Sequence, residues 1–227
     1  MLSNVVNIAI VDDHTLFRKA LKNYLSGERN MHVTVQSADV LDLLTKLRST
    51  SVHVLVMDIF MPKVDGMEAA KLIRNEFADI KILILSMCTD MYILNDLLES
   101  GVYGIISKAD EPEELIRAIT SVSEGRIYRN KLFTEVMYSS KQIDMKKYNA
   151  SANVVLNDRE KKVLQLLWDE KSNKEIAEQM FLGVRSVEKI RQDLKEKLNI
   201  KTTVGLLKYA INNKIIKVSA QSYSDLF

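Results

Sequence analysis

The first 125 residues alternate between short apolar runs and longer stretches in which apolar residues recur at helical spacing. The runs are about five residues long and rich in Ile, Val or Leu, as buried parallel strands are. Five such strand–helix units in succession predict a doubly wound α/β domain whose ligands bind at the carboxyl ends of the strands. The predicted strands are Asn7–Val11, His32–Val35, Val52–Met57, Ile82–Leu85 and Gly104–Ile106.

Residues 156–216 show only helical spacing of their apolar residues. Asn157 and Ser172 each stand three residues before a glutamate, and this spacing predicts a capping box at the start of a helix. A tight turn containing Gly183 then precedes a longer helix over 184–198 that is rich in Arg and Lys. A short helix, a turn and a basic helix predict an all-α helix-turn-helix domain.

The chain is therefore predicted to have two domains with a polar connection between them. The α/β domain covers 1–125, and a linker containing a short helical segment covers 126–155. The helical domain covers 156–216, and a tail covers 217–227.

Charge is distributed unevenly between the two halves of the chain. The net charge is +2, but residues 1–138 hold 15 Lys+Arg against 19 Asp+Glu, and residues 139–227 hold 17 against 11. An acidic first part and a basic second part suggest two separate tasks, with nucleic acid as a candidate partner of the basic part.

Composition excludes several classes of protein. With 47% hydrophobic and 27% charged residues, the chain matches a folded globular protein rather than a disordered one. One cysteine, Cys88, permits no internal disulfide and no Cys-rich zinc module, and three dispersed histidines suggest no His-based metal site. No apolar run approaches the roughly 20 residues that span a bilayer, and no signal peptide is evident. We therefore expect a cytoplasmic protein without a membrane partner.

Polar side chains stand at the carboxyl ends of four predicted strands. Asp12 and Asp13 follow the first strand, Asp58 the third, Ser86 the fourth and Lys108 the fifth. In a parallel sheet these ends meet at one rim, where three carboxylates need a counter-charge from Mg²⁺ or from a lysine. A carboxylate beside Mg²⁺, a hydroxyl and a lysine can attack a phosphoryl donor.

These residues stand in motifs that resemble the receiver domain of bacterial two-component response regulators, from residue 7 to about 124. The resemblance implies a five-stranded flavodoxin-like, or CheY-like, (βα)5 fold. It implies that Asp58 accepts the phosphoryl group, that Asp12, Asp13 and Asp58 hold Mg²⁺, that Ser86 is the switch hydroxyl and that Lys108 pairs with the phosphoryl group. The motifs are IVDDH (10–14), VMDIFMPKVDG (56–66), LS (85–86) and GVYGIISK (101–108).

Residues 156–216 resemble the LuxR-type helix-turn-helix domain of the NarL/FixJ response regulators. The resemblance implies a transcription regulator that a partner histidine kinase phosphorylates at Asp58 and that binds double-stranded DNA as a homodimer. The carrying segments are LNDREKKVL (156–164), SNKEIA (172–177), SVEK (186–189) and KLNI (197–200).

The helix over 184–198 is the candidate recognition helix, which we expect to enter the major groove. Its basic residues and those beside it can reach phosphates or base edges, and a glutamate can accept a hydrogen bond from cytosine N4. A last helix, Thr202–Asn213, carries an apolar stripe and is a candidate dimer surface. The candidate DNA contacts are Lys174, Arg185, Glu188, Lys189, Arg191, Lys195 and Lys201.

Two other functions compete with this interpretation. A regulator that binds DNA independently of phosphorylation, with its receiver as a docking or dimerisation module, is suggested by Ile105, where the family usually has an aromatic residue. An enzyme is disfavoured, because position 60 is Phe rather than a second carboxylate and no glycine-rich phosphate loop is present. We therefore expect no small-molecule substrate and no chemistry beyond the receiver's own phosphotransfer and autodephosphorylation.

Overall fold

A computed structural model describes residues 5–61, 66–139 and 154–216. The chain divides into two compact units between Tyr128 and Arg129. Pro62, residues 140–153 of the predicted linker and the tail at 217–227 lie outside the described residues.

The N-terminal unit contains one parallel sheet with the strand order β2-β1-β3-β4-β5. This confirms the predicted five-stranded α/β fold, and the order reverses beside β1, where doubly wound folds bind their ligands. The strands are β1 Val6–Val11, β2 Met31–Ser37, β3 Val54–Met57, β4 Lys81–Ser86 and β5 Gly104–Ser107. The helices are α1 Thr15–Leu25, α2 Val40–Leu47, α3 Gly66–Glu76, α4 Met91–Ser100 and α5 Pro112–Ser123.

Both faces of the sheet are buried, as continuous apolar strands require. On one face, alternate strand residues such as Ile8 and Val54 form a core with Leu25 of α1 and Ile119 of α5. The intervening residues of the inner strands, such as Ala9 of β1 and Leu55 of β3, point to the other face and are buried as well. Burial on both sides leaves the carboxyl ends of the strands as the place where polar side chains can gather.

The C-terminal unit is helical throughout its described part. The capping boxes predicted at Asn157 and Ser172 are both present, each closed by the glutamate three residues later. Thr202 caps the last helix by accepting a hydrogen bond from the Gly205 N–H at 2.9 Å. The helices are α6 Lys131–Ser139, α7 Asp158–Trp168, α8 Asn173–Met180, α9 Val184–Leu198 and α10 Thr203–Asn212.

Helix α10, which the sequence predicts as a candidate dimer surface, is almost wholly buried. All eight residues from Val204 to Ile211 are buried, and the helix packs against α7 and α9. The role of its apolar stripe as a dimer surface stays a prediction. None of the helices in the described ranges is both long and apolar enough to cross a membrane.

Candidate functional site

The register of the parallel strands brings the predicted polar residues to one rim of the sheet. Val11 pairs with Met57 across β1 and β3, so the residues that follow these strands emerge side by side. The Asp58 N–H donates to the carbonyl oxygen of Val11 at 3.0 Å, and the Lys108 N–H donates to that of Ser86 at 3.0 Å. The ladder hydrogen bonds thus continue into the polar residues and hold their backbones in place.

Lys108 joins two of the carboxylates. Its Nζ lies 2.7 Å from Asp12 Oδ2 and 2.5 Å from Asp58 Oδ2, and the two aspartate side chains are only 3% and 4% exposed. Burial lowers the pKa of the Lys108 ammonium, but its hydrogen bonds to Asp12 and Asp58 outweigh that effect, so the pKa lies above its usual value. The ammonium therefore stays charged and offsets the repulsion between the two buried carboxylates.

Backbone donors orient the other oxygen of Asp58. Asp58 Oδ1 accepts from the N–H of Ile59 at 2.7 Å and from that of Phe60 at 3.3 Å. Gly66, at the start of α3, packs so closely that a Cβ there would lie 2.6 Å from the Ile59 Cα. Glycine at this position therefore permits the path of the chain just after Asp58. Phe60 itself is 55% exposed.

Ser86 is the last residue of β4 and lies at the same rim of the sheet. It is buried, and its Oγ accepts from the Cys88 N–H at 3.3 Å. A serine hydroxyl that accepts one hydrogen bond still has its own proton to donate.

An acidic pocket at this rim suits a hard divalent cation. Asp12, Asp13, His14 and Asp58 each offer a ligand atom, and these four atoms all lie within 4.8 Å of one another. Asp13 Oδ1 is inaccessible to solvent and has no hydrogen bond of good geometry. Three carboxylates face one ammonium, so the pocket carries excess negative charge, and its oxygen ligands are of the kind that Mg²⁺ prefers. The residues present therefore fit the Mg²⁺ that the sequence predicts.

Three residues at the start of α1 belong to the site although the sequence did not single them out. The Nδ1 of His14 contacts the acidic pocket, the Arg18 guanidinium donates to the carbonyl oxygen of Asp12, and Lys108 Nζ lies 4.7 Å from the centre of the Phe17 ring. Their proximity in sequence to Asp12 and Asp13 was the available signal. Counting histidines for a cluster could not detect one imidazole among carboxylates.

The C-terminal unit places part of the predicted DNA-contact set on one exposed surface. Arg185, Glu188 and Lys189 are exposed on the first half of α9, at the spacing of one helix face. Lys174 on α8 and Lys201 beyond α9 are also exposed, whereas Lys195 is half-buried.

Arg191 has structural partners within the domain. Its guanidinium donates to Asn173 Oδ1 and, at 2.8 Å, to Thr203 Oγ1. These bonds join α9 to the first residues of α8 and α10. The side chain is half-buried, unlike that of Lys189 two residues earlier.

The turn before α9 and the first residue of that helix expose apolar side chains that no sequence motif indicated. Phe181 is 96% exposed and adopts a left-handed backbone conformation with φ of 55°. Val184, the first residue of α9, is 41% exposed. Gly183 caps the helix without a side-chain hydrogen bond. The amino end of α9 thus combines apolar groups with the neighbouring Arg185.

Comparison with known families divides the chain in the same order. Residues 8–120 match the response regulator receiver domain. Residues 154–210 match the family of bacterial regulatory proteins called the luxR family.

Curated relatives match along nearly their whole length. The chain is 32% identical to the oxygen regulatory protein NreC of Staphylococcus epidermidis, over 93% of this chain and 100% of that protein. It is 28% identical to the transcriptional regulatory protein DegU of Brevibacillus brevis, over 95% of this chain and 97% of that protein.

Solved structures support the fold. The response regulator RcsB of Salmonella typhimurium matches with a TM-score of 0.56 and 23% identity, over 92% of this chain and 99% of that one. A LuxR-family response regulator from Aurantimonas matches with a TM-score of 0.57 and 25% identity, over 61% of this chain and 99% of that one.

Proposed function

Because the chain belongs to the NarL/FixJ-type response regulators, which join a receiver domain to a LuxR-type DNA-binding domain, we propose that phosphorylation of Asp58 controls its DNA binding. We assign 1–125 to the receiver, 126–155 to the linker, 156–216 to the DNA-binding domain and 217–227 to a tail. The observation that carries the proposal is the contact of Lys108 with both Asp12 and Asp58, two carboxylates from different strands.

The proposed step transfers a phosphoryl group from a phosphohistidine of a partner kinase. A carboxylate oxygen of Asp58 attacks the phosphorus, the new O–P bond forms as the N–P bond breaks, and the electron pair remains on the leaving imidazole nitrogen. The backbone N–H groups of Ile59 and Phe60 and the Lys108 ammonium fix the Asp58 carboxylate before attack. Such preorganisation lowers the cost of reaching the reactive geometry.

The remaining rim residues act on the charge of the transferred group. Mg²⁺ held by Asp12, Asp13 and Asp58 would neutralise the phosphoryl oxygens that repel the carboxylates. Lys108 then pairs with one phosphoryl oxygen, and the Ser86 hydroxyl donates to another. A change in these two contacts after phosphorylation is how the receiver would report the event to the rest of the chain.

For DNA binding, we propose that the first half of α9 enters the major groove. Arg185 and Lys189 bind phosphates or base edges, Glu188 accepts from cytosine N4, and Lys174 and Lys201 bind the backbone. Phe181 and Val184 supply apolar contact of the kind that thymine methyl groups accept. We place Arg191 among the residues that hold α9 in position, because its guanidinium already bonds Asn173 and Thr203.

We further propose that the protein acts in the cytoplasm as a homodimer on DNA. One solved relative is described as two RcsB dimers bound to two parallel DNAs. Two copies of a helix-turn-helix domain read two half-sites one helical turn apart, which raises affinity over a single domain.

The test is intact mass after incubation of the full chain with acetyl phosphate and Mg²⁺. Wild type should gain one phosphoryl group, and Asp58→Asn should gain none. Asp96→Asn, which removes an exposed carboxylate from α4, is the matched control and should behave as wild type. DNA affinity and oligomer size are measured on the same samples. Phosphorylation of Asp58→Asn, or no effect of phosphorylation on DNA binding, would overturn the proposal.

One observation favours the second function, DNA binding without phosphorylation. Ile105 is 1% exposed in the middle of β5, so no aromatic side chain at this position can change rotamer when the receiver is phosphorylated. Under this alternative, wild type and Asp58→Asn bind DNA with equal affinity before and after acetyl phosphate.

A further inference from the structure

The imidazole of His14 contacts the acidic pocket formed by Asp12, Asp13 and Asp58. Its Nδ1 lies 2.9 Å from Asp13 Oδ1 and 3.3 Å from Asp12 Oδ1. The His14 backbone N–H donates to the same Asp12 Oδ1 at 2.8 Å, which fixes the start of α1 against the pocket. The imidazole itself is 66% exposed, so the ring can turn without displacing packed neighbours.

These distances match those between neighbouring ligands of one ion. In an octahedral site with bonds of roughly 2.1 Å, adjacent ligand atoms lie about 3 Å apart. Asp13 Oδ1 is buried and close to His14 Nδ1, yet the two atoms do not form a well-aligned hydrogen bond. Asp13 Oδ1 carries a lone pair. His14 Nδ1, which also lies within hydrogen-bond distance of Asp12 Oδ1, offers a lone pair in the tautomer that carries its proton on Nε2, so one cation can bind both atoms in that tautomer.

The kind of ligand decides which cation gains from this arrangement. Carboxylate oxygens suit Mg²⁺, Ca²⁺ and Mn²⁺, whereas imidazole nitrogen suits the later first-row metals, whose affinities rise along the series from Mn²⁺ to Cu²⁺. A pocket of three carboxylates alone distinguishes poorly between Mg²⁺ and the later first-row metals. A pocket that adds one imidazole binds the later metals through an additional bond that Mg²⁺ uses poorly.

We propose that His14 Nδ1 is a fourth protein ligand of the acidic pocket for late first-row divalent metals such as Co²⁺, Ni²⁺ or Zn²⁺. The receiver thereby binds two classes of cation at one place: Mg²⁺ through the carboxylates, and a later transition metal through the carboxylates and His14. This inference rests on the proposed function in so far as Asp12, Asp13 and Asp58 form the cation site of the receiver.

The experiment measures Co²⁺ and Mg²⁺ affinities of the full chain by calorimetry at one fixed pH, for wild type, His14→Ala and Asp13→Asn. The matched control is His32→Ala, which removes an exposed imidazole from β2. Proton NMR of the Co²⁺-loaded chain supplies a second readout, because an imidazole bound to Co²⁺ shows a strongly shifted N–H resonance. Circular dichroism verifies that each variant is folded.

The expected result is that His14→Ala lowers the ratio of Co²⁺ to Mg²⁺ affinity by at least about tenfold and abolishes the shifted resonance. His32→Ala should keep the wild-type ratio, and Asp13→Asn should weaken the binding of both Co²⁺ and Mg²⁺. An unchanged ratio in His14→Ala overturns the proposal, and so does Co²⁺ binding that Asp13→Asn leaves intact, because the ion then binds elsewhere.

Failure of this inference can be told from failure of the proposed function. Intact mass after treatment with acetyl phosphate and Mg²⁺ reports phosphorylation of Asp58 without any transition metal. A chain that is phosphorylated but shows no His14-dependent Co²⁺ binding retains the function and loses the inference. A chain that binds Co²⁺ through His14 but is not phosphorylated does the reverse.

Discussion

Lys108 Nζ lies 2.5 Å from Asp58 Oδ2, although the two residues are 50 positions apart in the chain. The same ammonium contacts Asp12, so one cation holds together the ends of β1, β3 and β5. We expect Lys108→Met to lower the free energy of unfolding of the receiver by about 3 kcal/mol, because two buried carboxylates lose their partner. Since Mg²⁺ can replace the lost charge, it should raise the melting temperature of Lys108→Met more than that of wild type.

Thermal unfolding with and without Mg²⁺, followed by circular dichroism, measures this difference. Lys81→Met, which removes a lysine from the start of β4, serves as the control and should respond to Mg²⁺ as wild type does. Equal Mg²⁺-induced shifts in wild type and Lys108→Met would contradict the role given to the ammonium.

Protonation of Asp42 should lower the stability of the receiver in acid. The hydrogen bond from Lys46 and then that from Ser37 lower the pKa of Asp42 below its ordinary value of 3.8. A carboxylate with a lowered pKa contributes stability above the pKa of the unfolded chain, and that contribution is lost as the pH falls through the pKa of the folded state. Wild type should therefore exceed Asp42→Asn in melting temperature near neutral pH, and the difference should shrink below about pH 4.

Melting curves of both chains between pH 3 and pH 7 test this expectation, with Asp96→Asn as the control for removal of an exposed carboxylate. A difference between wild type and Asp42→Asn that stays constant over this range would count against the lowered pKa.

Replacing Arg191 should affect mainly the stability of the C-terminal unit, whereas replacing Lys189 should affect mainly DNA binding. Arg191→Ala leaves the oxygens of Asn173 and Thr203 without their donor, so we expect a loss of about 1–3 kcal/mol in the stability of the C-terminal unit. Lys189→Ala should leave stability unchanged, weaken DNA binding and reduce the slope of log affinity against log salt by about one.

Fluorescence of Trp168, the one tryptophan of the chain, reports unfolding of the C-terminal unit, because this side chain is buried there. DNA affinity is measured by anisotropy over a range of salt concentrations. If Lys189→Ala melted earlier while Arg191→Ala did not, the two roles would have to be exchanged.

Phe60 should slow the loss of phosphate from Asp58. The ring is bulky and stands two residues after the proposed acceptor, where it can hinder the approach of water to the acyl phosphate. We expect Phe60→Ala to lose its phosphoryl group several-fold faster than wild type, as measured by the decay of the phosphorylated mass after removal of the donor. Tyr92→Ala, which removes another exposed aromatic side chain near the amino end of α4, should decay as wild type. Slower decay in Phe60→Ala than in wild type would refute a shielding role.

Much of the proposed site could be predicted because its information is local. Asp12 and Asp58 directly follow short apolar runs, and Lys108 follows one after Ser107. Parallel strands bring their carboxyl ends to one rim whatever the details of packing. The capping boxes at Asn157 and Ser172 are local for the same reason, since each needs only a glutamate three residues later. In both cases residues that are close together in the sequence are enough to predict the local structure.

The roles that the sequence could not assign depend on contacts between distant parts of the chain. Arg191 and Lys189 are both basic residues of one helix, and only the packing of α9 between α8 and α10 makes one a structural link and leaves the other exposed. The apolar stripe of α10 likewise predicts that this helix is buried, but it does not show that α7 and α9 are the helices that pack against it. Sequence alone determined the fold class and the residues at the rim, because periodicity and strand ends are local properties. The tertiary structure decided which polar side chains meet, because a hydrogen bond or ion pair depends on distances that no spacing along the chain specifies.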